Sequence, residues 1–217
     1  MPAKPVPDIV VARLPLYLRA LAAMRKSGKT FASSKEMAQW LGMSPAQIRK
    51  DLSYFGEFGK QGMGYAVDDL QARLRQILHL DREWPIVIIG AGRIGSAVAA
   101  YPGFADHGFR VCALFDNDPA KIGTCIAGLR VHDVRTLPEF VRAHGVRLAM
   151  LAVPAEAAQS VAELAVSAGI SAILNYAPLN LALPDHVRVE NIDPALHLQH
   201  MTYYLDCPPL CLSSTKG

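Results

Sequence analysis

The sequence predicts an α/β chain in two parts: an N-terminal winged helix-turn-helix and a C-terminal Rossmann domain with a doubly wound parallel sheet. Three observations carry this. Within residues 1–80, three short helical patterns lead into a glycine-rich stretch of hairpin character. From Trp84 onward, hydrophobic strands alternate with helical patterns, and the first strand runs into Gly90-Ala91-Gly92-Arg93-Ile94-Gly95. The charge divides along the same line. Residues 1–80 hold 12 Lys/Arg against 6 Asp/Glu, whereas residues 81–217 hold 10 against 13. A basic small domain beside an acidic larger one suggests a polyanion as partner of the first.

The pro-rich residues 1–8 read as an irregular arm. Pro15 suits the first turn of a helix, where a missing N–H is harmless. Leu16, Leu18, Leu21, Ala22 and Met24 supply its apolar positions and Gly28 stops it. Ser33 and Glu36 form a capping-box pair opening a second helix, with Met37, Ala38, Trp40 and Leu41 as its apolar residues and Gly42 as its breaker. Ser44-Pro45 is an N-cap followed by a first-turn proline, so a third helix begins there. It carries Ile48, Leu52 and Phe55 on one face and Gln47, Arg49, Lys50 and Ser53 on the other. Three short helices with a tight turn between the last two describe a helix-turn-helix. The stretch Gly56 to Tyr65 then suits a β-hairpin, the wing. Asp68 is placed to cap a connecting helix through Leu70, Leu74, Ile77 and Leu78.

The second part reads as strand Ile86–Ile89, the glycine motif, an Ala-rich helix and strand Arg110–Phe115 ending in Asp116. Strand Leu148–Val153, helix Ala155–Ala168 and strand Ala172–Leu174 follow, a parallel βαβ series. A last helix, about Pro194 to Leu205, is apolar on more than one side through Leu196, Leu198, Met201, Tyr204 and Leu205. The expected domains are therefore 1–80, 81–192 and a terminal segment 193–217.

Composition excludes several classes. At 51% hydrophobic and 19% charged the chain is globular rather than disordered. No apolar run reaches the ~18 residues of a membrane helix, and the N-terminus lacks a signal-peptide core. The expected location is the cytoplasm. Cys112, Cys125, Cys207 and Cys211 form no C-x-x-C pair and no zinc spacing, so reduced thiols are expected and no metal. His197 and His200 share a helix face but lack further ligands nearby.

The glycine motif has the context that gives it meaning. Gly90 permits the tight turn, Gly92 lets the backbone approach a pyrophosphate, and Gly95 lets helix and strand pack closely. Ala91, Arg93 and Ile94 complete the loop whose amides and helix end meet the phosphates. Asp116, 21 residues beyond Gly95, can accept from ribose hydroxyls and would repel a 2′-phosphate, so NAD(H) is favoured over NADP(H). Lys121 and Arg130 read as solvated. None of the seven histidines sits in an Arg/Asp pattern suited to hydride-transfer chemistry, so the cofactor is expected to be bound and not turned over. On the DNA side, Ser44 and Gln47 lie at the groove-entering end of the third helix, and Arg49, Lys50 and Ser53 on its exposed side. Tyr54 would pack or touch a phosphate; Lys60 and Gln61 sit at the wing tip, suited to the minor groove.

At these residues the chain resembles the Rex family of redox-sensing transcriptional repressors along nearly its whole length. The matching segments are Arg13 to Tyr17, Ile48 to Gly56, Gly62 to Tyr65, Gly90 to Gly95, Tyr101 to Phe104, Ala152 to Pro154, Leu174 to Pro178 and Val189 to Asp193. The resemblance implies a homodimer that binds double-stranded operator DNA at low NADH/NAD+ and leaves it when NADH binds, with the C-terminal helix exchanged between subunits. It adds Val153, Pro154, Asn175 and Tyr176 to the cofactor site. It also implies a switch made of Arg19, Tyr101 and Asp193, whose partners differ between two domain arrangements. Pro194 departs from the larger residue expected against the nicotinamide, and the tail with Cys207 and Cys211 matches nothing in the family. Two other readings stay open: a small NAD-dependent oxidoreductase with an N-terminal interaction module, and a coenzyme-A-binding regulator of the same architecture.

Overall fold

The computed structural model describes residues 5–59 and 63–205. The chain divides into two compact units between Asp81 and Arg82. The wing-tip residues Lys60 and Gln61, and the tail with Cys207 and Cys211, lie outside the described residues.

The first unit is built on α1 (Asp8–Lys26), α2 (Ser34–Leu41), α3 (Pro45–Ser53) and α4 (Val67–Ile77). In α1, Val10, Leu14, Tyr17, Leu21 and Met24 recur at three and four residues and are buried, which is the period of one helix face. Truncating one of these, Leu21→Ala for instance, costs about 2–5 kcal/mol. The helix starts seven residues earlier than Pro15 suggests, so the proline sits in its interior. It is tolerated on the exposed side: Pro15 and Val11, whose carbonyl it cannot bond, are both exposed. The core stripe accordingly passes through Leu14 and Tyr17, not through Leu16, which is exposed.

The capping box of α2 is formed: Ser33 Oγ accepts from the Glu36 amide and Glu36 Oε2 accepts from the Ser33 amide at 2.8 Å. Gly42 ends that helix at φ 64°, a left-handed conformation glycine adopts without strain. Of the apolar residues read for this helix, Met37 and Ala38 are buried, whereas Trp40 is 61% exposed. Ser44 Oγ caps α3 by accepting from the Gln47 amide. Strand β1 (Phe31–Ala32) pairs antiparallel with β2 (Tyr65–Ala66), so the chain leaving the wing is tied to the segment before α2. Gly59 and Gly64 lie close together, since a side chain on Gly59 would meet the Gly64 backbone. Asp68 lies in the first turn of α4 but is not its cap; the cap position is Ala66, with no side-chain bond.

The second unit is a seven-stranded sheet. Its strands are β3 (Trp84–Ile89), β4 (Phe109–Asp116), β5 (Cys125–Ile126), β6 (Leu129–Asp133), β7 (Leu148–Leu151), β8 (Ala172–Asn175) and β9 (Arg188–Asn191). Their order is β5-β6-β4-β3-β7-β8-β9, parallel throughout except for the β5–β6 pair. Alternation along β3 sets the layers. Val87 and Ile89 join Leu137, Val141, Ala158 and Ala162 of α7 (Leu137–His144) and α8 (Ala155–Ala168) on one face. Ile86 and Ile88 face Val98 of α5 (Arg93–Ala99) and Phe104 of α6 (Gly103–Asp106) on the other. Helices on both faces make the sheet doubly wound, and the order reverses between β3 and β7, beside the glycine motif. Strands β5, β6 and β9 and helices α6 and α7 are additions to the sequence reading. The last helix, α9 (Pro194–Leu205), stands as expected, with Asp193 Oδ1 accepting from the Ala195 amide at its start. Pro194 thus occupies a first-turn position. None of the described residues of α9 is buried.

Candidate dinucleotide cleft and DNA-binding surface

A cleft of about 760 Å³ opens at the carboxyl ends of the strands, within the usual range for a small-molecule site. Gly90, Gly92, Arg93 and Ile94 line it from the glycine loop, Asp116, Asn117, Asp118 and Lys121 from the end of β4, and Val153, Pro154 and Tyr176 from the far side. Val134, Ala157, Val161 and Pro178 add apolar wall that the sequence reading did not find. They come from a turn and two elements whose inward face shows only once the sheet is assembled.

Each glycine has a distinct task. Gly90 has φ 103°, and a side chain there would lie 2.7 Å from the Ala152 carbonyl carbon. A side chain on Gly95 would collide with the Gly90 carbonyl oxygen, so this glycine serves the contact between α5 and β3 and does not line the cleft. Gly92 faces open space, with nothing within 4 Å of where a Cβ would stand. That leaves its backbone approachable by a bulky phosphate.

Asp116 is the electrostatic centre of the cleft. It is buried, and its two oxygens accept from the Ala91 amide at 2.8 Å, the Asp118 amide at 2.9 Å and Lys121 Nζ at 3.1 Å. Burial alone would raise its pKa; the two backbone bonds and Lys121 outweigh burial and hold the carboxyl below the usual range. It is therefore an anion fixed at the strand end, with lone pairs left for a ribose. Two expectations change. The Ala91 amide is spent on Asp116 and does not face a phosphate. Lys121 is not merely solvated but pinned against the carboxylate.

Asn175 is also reassigned. Its side chain is buried, donates to the Ala177 and Leu179 carbonyls and to Asn191 Oδ1, and accepts from the Ala177 amide. It does not line the cleft. It shapes the loop that carries Tyr176 and Pro178 to the rim.

In the first unit, Ser44, Arg49, Lys50, Ser53 and Tyr54, expected from the sequence to meet DNA, are exposed on and beside α3. Arg49 donates to Ser34 Oγ at 3.0 Å, which steadies it against α2. Gln47 is half-buried, and its Nε2 donates to Asp51 Oδ1 at 2.6 Å. Asp51 is completely buried. Arg13 grips it with two bonds, at 2.6 and 2.8 Å, and the Tyr17 hydroxyl donates to it at 2.5 Å. Burial pushes the Asp51 carboxyl up, but these donors prevail and hold it below its ordinary value, while burial and the Asp51 bond raise the Tyr17 phenol. The network fastens α1 to α3. Sequence reading missed it because a charged residue on a short amphipathic helix looks solvated. The signal was spacing: Asp51 is three residues beyond Ile48, on the buried face.

The three residues expected to form a switch are exposed or half-exposed in their own units. Arg19 is on the outer side of α1, Asp193 caps α9, and Tyr101 follows α5, 55% exposed. Among the described residues no group of three or more His, Cys, Asp and Glu could hold a metal ion, and no helix is long and apolar enough to cross a membrane.

Comparison with known proteins matches both halves. A family profile described as a putative DNA-binding protein N-terminus covers residues 5–53, and one described as a CoA binding domain covers residues 81–179. The redox-sensing transcriptional repressor Rex of Roseiflexus sp. (strain RS-1) is 49% identical over 199 residues, 92% of this chain and 90% of that protein. The solved structure of RSP, a Rex-family repressor, in complex with beta-NAD+ and operator DNA is similar with a TM-score of 0.88 at 38% identity, covering 94% of each chain. RSP in complex with beta-NADH gives a TM-score of 0.84 at 36% identity, over 94% of this chain and 95% of that one.

Proposed function

This chain belongs to the Rex family of redox-sensing transcriptional repressors, and from that premise we propose how its own residues carry the function. It is a DNA-binding regulator, not an enzyme, and NAD(H) is its sensed ligand. The second unit binds the dinucleotide in the cleft at Gly90–Gly95, with the pyrophosphate over Gly92, Arg93 and Ile94 and the adenosine ribose on Asp116. The first unit binds operator DNA through Ser44, Gln47, Arg49, Lys50, Ser53 and Tyr54, with Lys60 and Gln61 at the wing. One observation carries the reading. A fixed carboxylate stands beside an open glycine loop, in the same chain as a capped recognition helix.

NAD+ carries a pyridinium charge that NADH lacks, so a nearby ionised or hydrogen-bonding group distinguishes the two forms. Binding of NADH shifts the protein to an arrangement that releases DNA, and Arg19, Tyr101 and Asp193 exchange partners in that shift. The protein acts as a homodimer. Helix α9, exposed on all sides in one chain, supports exchange of this helix between the two copies, since Leu196, Leu198, Met201 and Leu205 need cover. A repressor works beside the chromosome, so the cytoplasm goes with this reading.

The test is a mobility shift on a palindromic operator with NADH and NAD+ added separately. NADH is expected to release the DNA at concentrations where NAD+ does not. If neither form alters DNA affinity, the sensor reading fails. The CoA-type profile favours one competitor, a coenzyme-A-responsive regulator. Titrating coenzyme A against NADH in the same assay separates the two, because only the effective ligand will release the operator.

A further inference from the structure

Gly103 opens the short helix α6. It is not among the glycines with positive φ, so no backbone conformation calls for glycine there. Alanine is the better helix former, and the turn is already closed by His107, whose Nδ1 lies 2.6 Å from the Gly103 carbonyl oxygen. The space where a side chain would stand is nevertheless filled. A Cβ on Gly103 would lie 2.5 Å from Tyr101 Cζ and 2.6 Å from its Cε1, and would overlap the phenol oxygen. The phenol end of the Tyr101 ring therefore occupies the space beside the bare Cα of Gly103. An edge contact with Phe104, with centroids 5.1 Å apart at 84°, also holds the ring.

We infer that Gly103 is a positioning residue: it is glycine so that the Tyr101 ring can seat on the first turn of α6, and that seat sets how readily Tyr101 is taken up by another partner. The obstructing atoms belong to an exposed side chain that can swing outward. An alanine at 103 would therefore evict the ring without breaking the fold. The functional half of this inference rests on the role proposed above for Tyr101; the seat itself does not.

Two measurements test it. First, the full chain is labelled with 3-fluorotyrosine, and the Tyr101 resonance is assigned by its loss in Tyr101→Phe. Gly103→Ala should move that resonance and leave the other tyrosines in place. An unmoved Tyr101 resonance overturns the seat, whatever the protein senses. Second, the NADH concentration that half-releases operator DNA is measured in a double-mutant cycle. Gly103→Ala should shift it, in either direction, by roughly threefold or more, as expected for residues in contact. In a Tyr101→Ala background the same substitution should have no effect, because there is no ring to evict. An unchanged response, or a shift that persists without the Tyr101 ring, overturns the inference. Loss of NADH response in the unsubstituted protein would instead overturn the sensor reading, and the fluorine measurement would still decide the seat.

Discussion

Asp51→Ala should loosen the first unit and leave the second intact. The carboxylate is completely buried and accepts four bonds, two of them from one guanidinium. Removing one member of such a pair costs about 3–5 kcal/mol, because the remaining charge is left uncompensated. Arg13 retains 19% side-chain exposure, so water can partly re-solvate it, and the lower end, about 3 kcal/mol, is expected. At about tenfold per 1.4 kcal/mol, opening of the unit becomes roughly a hundredfold more frequent. Hydrogen exchange read by mass spectrometry resolves this locally. Peptides from α1 and α3 should lose protection by that factor while those from β3, β4 and β7 hold theirs. Arg13→Met combined with Asp51→Leu should recover much of the loss, since an apolar pair replaces the ionic one. The pH dependence has a definite sign. The Asp51 carboxyl titrates below its ordinary value of 3.8 in the folded protein, so its contribution is full above that value and fades as pH falls through the lower, folded pKa. Asp51→Ala should remove this acid-dependent portion. Uniform loss of protection in both units, or a cost under about 1 kcal/mol, would refute the network as the tie between α1 and α3.

Gly95→Ala places a methyl against the Gly90 carbonyl oxygen; a cost of about 1–3 kcal/mol for overpacking should appear as a lower melting temperature of the second unit, together with weakened NADH binding by fluorescence. Lys50→Ala should weaken operator binding uniformly across sequences and reduce the slope of log affinity against log salt by about 0.9 if Lys50 neutralises one phosphate; a changed base preference with an unchanged slope would instead make it a base reader. Leu198→Glu with Met201→Glu, placed on one face of α9, should convert a dimer to monomers in sedimentation velocity, and sedimentation identical to the parent would remove α9 from the interface.

Local chemistry was the legible part. Ser33 with Glu36, Ser44 with Pro45, and the run from Gly90 to Gly95 act within a few residues, and each folds as its pattern implies. Misreadings arose where partners are distant in sequence. Pro15 looked like a helix start because proline is common in a first turn, while the run Ile9-Val10-Val11-Ala12 before it is continuously apolar and shows no helical period. Sequence groups Trp40 with the buried Met37 and Ala38 as apolar, because size and hydrophobicity say nothing of which side of α2 is covered. Sequence places Asn175 in the cofactor site and gives Asp51 no role, because polar side chains are rarely buried; their partners, Asn191 16 residues away and Arg13 38 away, appear only after folding. The strands β5 and β6 were hidden by a short edge hairpin with too few residues to display alternation.

The position of Asp116 constrains any redesign of ligand preference. Its carboxylate holds the Ala91 amide, and so holds the glycine loop to the end of β4. Exchanging it for a small or basic residue, the obvious route to accepting a phosphorylated ribose, would also unfasten the loop on which the pyrophosphate rests. Lys121, already at the rim, would be freed to meet the new phosphate, but the loop would need a replacement acceptor for its amide. Nucleotide preference and loop rigidity therefore have to be altered together, by paired substitutions and not by one.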